Sequence, residues 1–155
     1  MNLTTKGRYA VMAMVDIAVY QKNRPIALAS IAERQSIAPN YLEQLFAKLR
    51  KAGLVSSIRG PGGGYVLARD AKDISILDIV EAADEPMRMT RCESESGQGC
   101  LHDKSRCLTH HLWADLSAHI NRYLDAISLA DLYNNKNVSS LLIHQVTHNN
   151  HEYAQ

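Results

Sequence analysis

The chain has 155 residues, 46% hydrophobic and 21% charged, with a formal net charge of +1. That length suits one compact domain, or a small domain with a dimerising extension. No apolar run reaches the roughly 18 residues needed to span a bilayer, so a cytoplasmic protein without a membrane partner is expected.

Residues Thr4 and Thr5 can cap a first helix, expected from about Arg8 to Gln21. Its apolar positions Val11, Met14, Val15, Ala18 and Val19 recur at helical spacing. Asp16 interrupts this stretch, Lys6 and Arg8 precede it, and no cleavage pattern follows, so it reads as an amphipathic helix and not as a signal peptide. Asn23-Arg24-Pro25 ends it. A short second helix is expected from about Leu28 to Gln35, then a tight turn at Ser36-Ile37-Ala38. Pro39 suits the first position of a third helix, where its missing N–H costs nothing. That helix turns Leu42, Leu45, Phe46 and Leu49 inward and ends at Ala52-Gly53, with Gly53 as its C-cap.

Helix, short helix, tight turn and helix form a helix-turn-helix. Leu54 to Arg59 then alternates like a strand, Gly60-Pro61-Gly62-Gly63-Gly64 turns, and Tyr65-Val66-Leu67 returns. A hairpin directly after a recognition helix is a wing. No Lys-Ser/Thr pair follows these glycines, and they open a strand, so they do not form a P-loop. Ser75-Ile76-Leu77-Asp78 resembles a capping box for a fourth helix, about Ile76 to Ala83. A loop rich in Gly, Ser and charge follows. A long helix is expected from about Leu108 to Ile127, with Leu112, Leu116, Ile120, Leu124 and Ile127 in one stripe, flanked by Trp113 and Tyr123. A partner subunit is the economical way to bury that stripe. Ser128 is expected to cap a last helix, Leu129 to Tyr133. The expected fold class is mainly α with a small β wing. A winged helix-turn-helix domain (1–84) precedes a loop that carries the cysteines (85–107), a dimerisation helix with a short C-terminal helix (108–134) and a disordered tail (135–155).

Charge and side-chain type suggest what the first domain contacts. Residues through Lys72 carry 11 Lys and Arg against 4 Asp and Glu, and the rest carry 6 against 12. A basic front half suits a polyanion, although a solvated basic face would produce the same balance. The third helix is expected to expose Asn40, Tyr41, Gln44, Lys48 and Lys51. Asn and Gln can make paired hydrogen bonds to adenine in the major groove, and Glu43 can accept from a cytosine amino group. Arg59 and Gly60 at the wing suit a minor groove and close approach to the backbone. Lys6, Arg8, Arg50 and Lys51 are phosphate candidates; Lys48 is as readily merely solvated.

The three cysteines, Cys92, Cys100 and Cys107, fall in one 16-residue window, and His110 follows the last by three residues. An odd number clustered this way argues for a site and not for a disulfide framework. Three thiolates and an imidazole suit tetrahedral zinc or an iron–sulfur cluster with one histidine ligand, and the spacing does not choose between them. His102 and His111 are alternative nitrogen ligands. No nucleophile–base pair or paired carboxylates occur at useful spacing, so neither an enzyme nor a small-molecule substrate is expected.

Leu3-Thr4-Thr5-Lys6-Gly7-Arg8-Tyr9-Ala10, Tyr41-Leu42-Glu43-Gln44-Leu45-Phe46 and the segment from Leu54 to Tyr65 together resemble the Rrf family of bacterial transcription regulators, over about residues 1–135. The resemblance implies a homodimer that binds palindromic double-stranded operator DNA. Cys107-Leu108-Thr109-His110, with Leu112-Trp113 after it, is similar to the members that sense iron–sulfur status, and less so to those that answer nitric oxide or control cysteine metabolism. That similarity implies a 2Fe-2S cluster held by Cys92, Cys100, Cys107 and His110, and control of iron–sulfur cluster assembly genes, mainly by repression. The cysteines stand further apart than in that pattern, so the loop carries inserted residues. The alternatives are a zinc-stabilised structural or protein-interaction module, or a family member with another signal such as nitric oxide.

Overall fold

The computed structural model describes residues 5–22, 24–84, 99, 101–103 and 105–134. Its elements run α1 (Thr5–Tyr20), α2 (Leu28–Gln35), α3 (Pro39–Lys51), β1 (Val55–Ile58), β2 (Gly64–Leu67), a 3-10 turn at Ala71–Asp73, α4 (Ile76–Ala82), α5 (His110–Asp125) and α6 (Leu129–Tyr133). Helix α1 already includes Thr5, which is therefore helical and not a cap.

Local signals account for most of these boundaries. Pro39 opens α3 at its first turn. The far end of α3 closes as a Schellman motif: Gly53 N–H donates to Arg50 C=O at 3.0 Å and Leu54 N–H to Leu49 C=O at 3.0 Å. Gly53 takes φ +72, which a residue with a Cβ adopts only at a cost. Leu49 and Leu54 are both buried at that closure. Helices α4 and α6 each begin with a capping box, Ser75 with Asp78 and Ser128 with Asp131.

The core is one cluster that draws on nearly every element. Met14 and Ile17 come from α1, Ile31 from α2, Leu42, Phe46 and Leu49 from α3, Ile79 and Val80 from α4, and Ile127 and Leu129 from the chain around α6. Ile127, expected on the dimer stripe, is only 4% exposed and packs into this core. Its backbone explains why: Ile76 N–H donates to Ile127 C=O at 2.9 Å, and Leu129 N–H to Ile74 C=O at 2.8 Å. The start of α6 is thereby laid against the start of α4.

Strands β1 and β2 pair antiparallel, Val55 opposite Leu67 and Ile58 opposite Gly64. Between them Gly63 N–H donates to Gly60 C=O at 2.9 Å across Pro61 and Gly62. Proline followed by a glycine at φ +77 is the type II turn. The hairpin also gains a third, one-residue partner. Ile26 and Tyr65 exchange both backbone hydrogen bonds, at 2.9 and 2.8 Å, and Gln21 Oε1 accepts from Leu67 N–H at 2.8 Å. Any Cβ on Gly64 would run into the Ile26 carbonyl. The wing is therefore fastened to the end of α1 and to the chain ahead of α2.

Candidate nucleic-acid interface and metal site

Burial on α3 follows directly from its sequence period. Leu42, Leu45, Phe46 and Leu49 are buried, which leaves Asn40, Glu43, Gln44 and Lys51 exposed on the opposite side. Lys6, Arg8, Arg50, Arg59 and Gly60 are exposed as well. Tyr41 departs from expectation. It is half-buried, edge-on to the Tyr9 ring at 5.8 Å between centroids, so it braces α3 against α1 while leaving part of its ring accessible. Lys6, Tyr41, Gln44, Leu45, Lys48 and Ala83 line one shallow groove. That groove brings Lys6 beside α3.

Two cations of α3 are already engaged. Arg50 Nη1 donates to Ser57 Oγ of β1 at 3.5 Å, a contact between α3 and the wing. Lys48, expected exposed, is half-buried and paired with Asp84, Nζ to Oδ2 at 2.7 Å. The Lys48 ammonium, with Lys6 and Lys51 farther off, holds the Asp84 carboxyl below the usual carboxylate range. The two residues are 36 positions apart, and no local pattern in the sequence announces the pair. Sequence reasoning also passed over Arg34 and Gln35, which hold Asp16, the one buried charged side chain among the described residues. The polar residue inside an apolar helix face was the available signal for that contact.

Of the expected metal ligands, Cys107 and His110 lie within the described residues; Cys92 and Cys100 lie outside them. So do residues 85–98 and 104 of the expected 85–107 loop, and the tail from 135. Helix α5 starts at His110, two residues later than expected. Cys107-Leu108-Thr109 forms the turn before it, in which His110 N–H donates to Cys107 C=O at 3.0 Å. Cys107 is half-buried, with its Sγ 3.6 Å from Thr109 Oγ1, and the Trp113 indole N–H donates to the same oxygen at 3.2 Å. A thiol and an imidazole three residues apart in one turn can serve a common centre, and thiolate with imidazole is a donor set that iron–sulfur clusters and zinc both accept. Of the alternative nitrogen ligands, His111 follows His110 on α5, their rings 5.6 Å apart edge-on, and His102 is exposed. Among the described residues no group of three His, Cys, Asp or Glu side chains converges on one point.

Helix α5 has no buried residue. Leu112, Trp113, Leu116 and Tyr123 are exposed along it, with Leu112 at 60%. No helix among the described residues is long and apolar enough to cross a membrane.

Comparison with known proteins gives a consistent result. The family model Rrf2, described as an iron-dependent transcriptional regulator, matches residues 3–135. The HTH-type transcriptional regulator IscR of Photorhabdus laumondii is 53% identical over 138 residues, which cover 89% of this chain and 82% of that protein. Among solved structures, IscR from T. potens is similar at a TM-score of 0.70 and 39% identity, over 90% of both chains. CymR, the global cysteine regulator of B. subtilis, is similar at a TM-score of 0.71 and 34% identity, over 88% of this chain and 99% of that one.

Proposed function

Because the chain belongs to the Rrf2 family of transcriptional regulators, we propose that it is a homodimeric operator-binding protein whose DNA affinity answers iron–sulfur status. Cys92, Cys100, Cys107 and His110 would hold the 2Fe-2S cluster that reports that status. Helix α3 enters the major groove with Asn40, Glu43 and Gln44 toward base edges. Arg59 and Gly60 of the wing meet the neighbouring minor groove, and Lys6, Arg8, Arg50 and Lys51 take phosphates. Tyr41 orients α3 through its contact with Tyr9.

The observation that carries the sensor reading is the turn joining Cys107 to His110 at the head of α5. It would offer one sulfur and one nitrogen ligand from the start of a single helix. Thiolate and imidazole at this turn would hold a 2Fe-2S cluster, whose redox chemistry would make the site responsive to iron–sulfur supply. Cys107 and His110 would anchor the cluster at the head of α5, and Cys92 and Cys100 would complete its ligand set. The exposed stripe of Leu112, Trp113, Leu116 and Tyr123 is covered by the same helix of a second copy. Ligation on α5 then bears on how two recognition helices are spaced, the quantity a palindromic site measures.

The test is anaerobic purification with a visible spectrum and iron, sulfide and zinc assays on one sample, repeated for Cys107→Ala and His110→Ala. Equal iron and sulfide, charge-transfer absorption and loss of both in the variants are expected, together with operator affinity that changes on cluster removal. A colourless protein that carries stoichiometric zinc, after anaerobic reconstitution as well, would overturn the cluster and leave the operator-binding domain standing.

A further inference from the structure

On the DNA-facing side of α3, one turn beyond Gln44 and three residues before Lys51, Lys48 points at a carboxylate and not at open solvent. Its Nζ is 2.7 Å from Asp84 Oδ2, and the Asp84 side chain is 71% exposed. Asp84 stands just past the end of α4 with φ +57, a left-handed conformation that Asp adopts more readily than most residues. That backbone geometry turns the residue back toward α3, beside a groove lined by Lys48, Lys51, Ala52, Glu81 and Ala82.

From this geometry we infer that Asp84 is a negative determinant of DNA affinity: it occupies Lys48 and withholds one phosphate contact from the recognition helix. The inference rests on the reading of α3 as the DNA-contacting helix. A duplex that approaches α3 offers Lys48 a phosphate in place of the carboxylate. Whichever partner Lys48 takes, one anion is left beside the helix without its cation. An exposed ion pair is weak enough to be exchanged in this way. Asp84 thus acts as a brake that carries no sequence information, because phosphate contacts position a protein without reading bases.

The test is salt-dependent binding of the full chain to a mixed-sequence DNA duplex, for wild type, Asp84→Asn, Lys48→Met and the double variant. Asparagine tolerates the left-handed conformation at a helix end, so Asp84→Asn removes charge and preserves the turn. Each phosphate neutralised adds about 0.9 to the slope of log affinity against log salt. Asp84→Asn is therefore expected to bind more tightly and to steepen the slope by about 0.9 per bound recognition helix. Between 50 and 200 mM salt the advantage over wild type should shrink by roughly 3- to 4-fold per helix. In the Lys48→Met background the same substitution should leave the slope unchanged. Equal slopes for wild type and Asp84→Asn would overturn the inference. So would a weakening by Asp84→Asn that parallels a drop in melting temperature, since that marks the pair as a strut between α3 and α4. Absence of duplex binding by wild type and all variants would overturn the reading of α3, and this inference with it.

Discussion

Arg34 grips Asp16 with both arms of its guanidinium, Nη2 to Oδ1 at 2.6 Å and Nε to Oδ2 at 3.0 Å, and so joins α2 to α1. Gln35 Nε2 adds a third donor to the same carboxylate at 2.9 Å, and the Tyr20 ring lies 4.4 Å under the guanidinium carbon. The Asp16 side chain is fully buried, while that of Arg34 is one-third exposed. The two partners therefore do not tolerate loss equally.

Arg34→Met strips a buried carboxylate of its charge partner and should cost about 3 kcal/mol. Asp16→Asn leaves an arginine that still reaches water and should cost less, about 1–2 kcal/mol. Urea denaturation of both variants checks the order. An equal or reversed order would show that burial of Asp16 is not what makes the pair matter.

The wing glycines differ in what they tolerate. Gly62→Ala meets no atom within 4 Å and pays only for its positive φ, about 1 kcal/mol. Gly64→Ala drives a Cβ into the Ile26 carbonyl and must break the Ile26–Tyr65 bridge, so about 2 kcal/mol or more is expected. The second substitution should also weaken DNA binding, because it frees the wing that carries Arg59 from the body of the fold. Thermal unfolding and duplex binding of the two variants separate these effects.

Two apolar residues, one on α5 and one in the link between α5 and α6, should behave in opposite ways. Ile127→Ala opens a cavity in the shared core and should cost about 2–4 kcal/mol. Leu116→Asp lies on the exposed stripe of α5 and should leave the winged domain folded while shifting the protein to monomer. Sedimentation with circular dichroism on one sample checks both. A Leu116→Asp protein that stays dimeric would place the interface elsewhere.

Base reading and phosphate holding separate in the same way. Gln44→Ala and Glu43→Ala should change sequence preference across a randomised operator library, the first losing about 1–3 kcal/mol at one base pair. Lys51→Ala should weaken all sequences alike and lower the salt slope by about 0.9. Identical preference profiles for all of these variants and the wild type would remove α3 from the recognition role.

Most features that a few neighbouring residues enforce were legible in the sequence, although Thr5 proved helical and α5 starts two residues late. Pro39 and Gly53 bound α3, Ser75 and Ser128 cap their helices, and Pro61-Gly62 turns the wing, each through contacts within one turn of chain. Asn40, Gln44 and Lys51 on the exposed face of α3 were legible for the same reason, since a 3.6-residue period assigns sides without reference to anything distant, whereas Tyr41 and Lys48 are half-buried by other elements. Cys107 and His110 stood out by spacing, and their common turn follows from three residues of backbone. Only the tertiary structure decided that Lys48 is held by Asp84, that Asp16 is gripped by α2, that Ile26 pairs with the wing and that Ile127 belongs to the core and not to the stripe of α5. Each of these joins residues from separate elements. Which lysine meets which carboxylate, or which isoleucine finds an unpaired strand edge, depends on how whole helices pack, and no local periodicity encodes that.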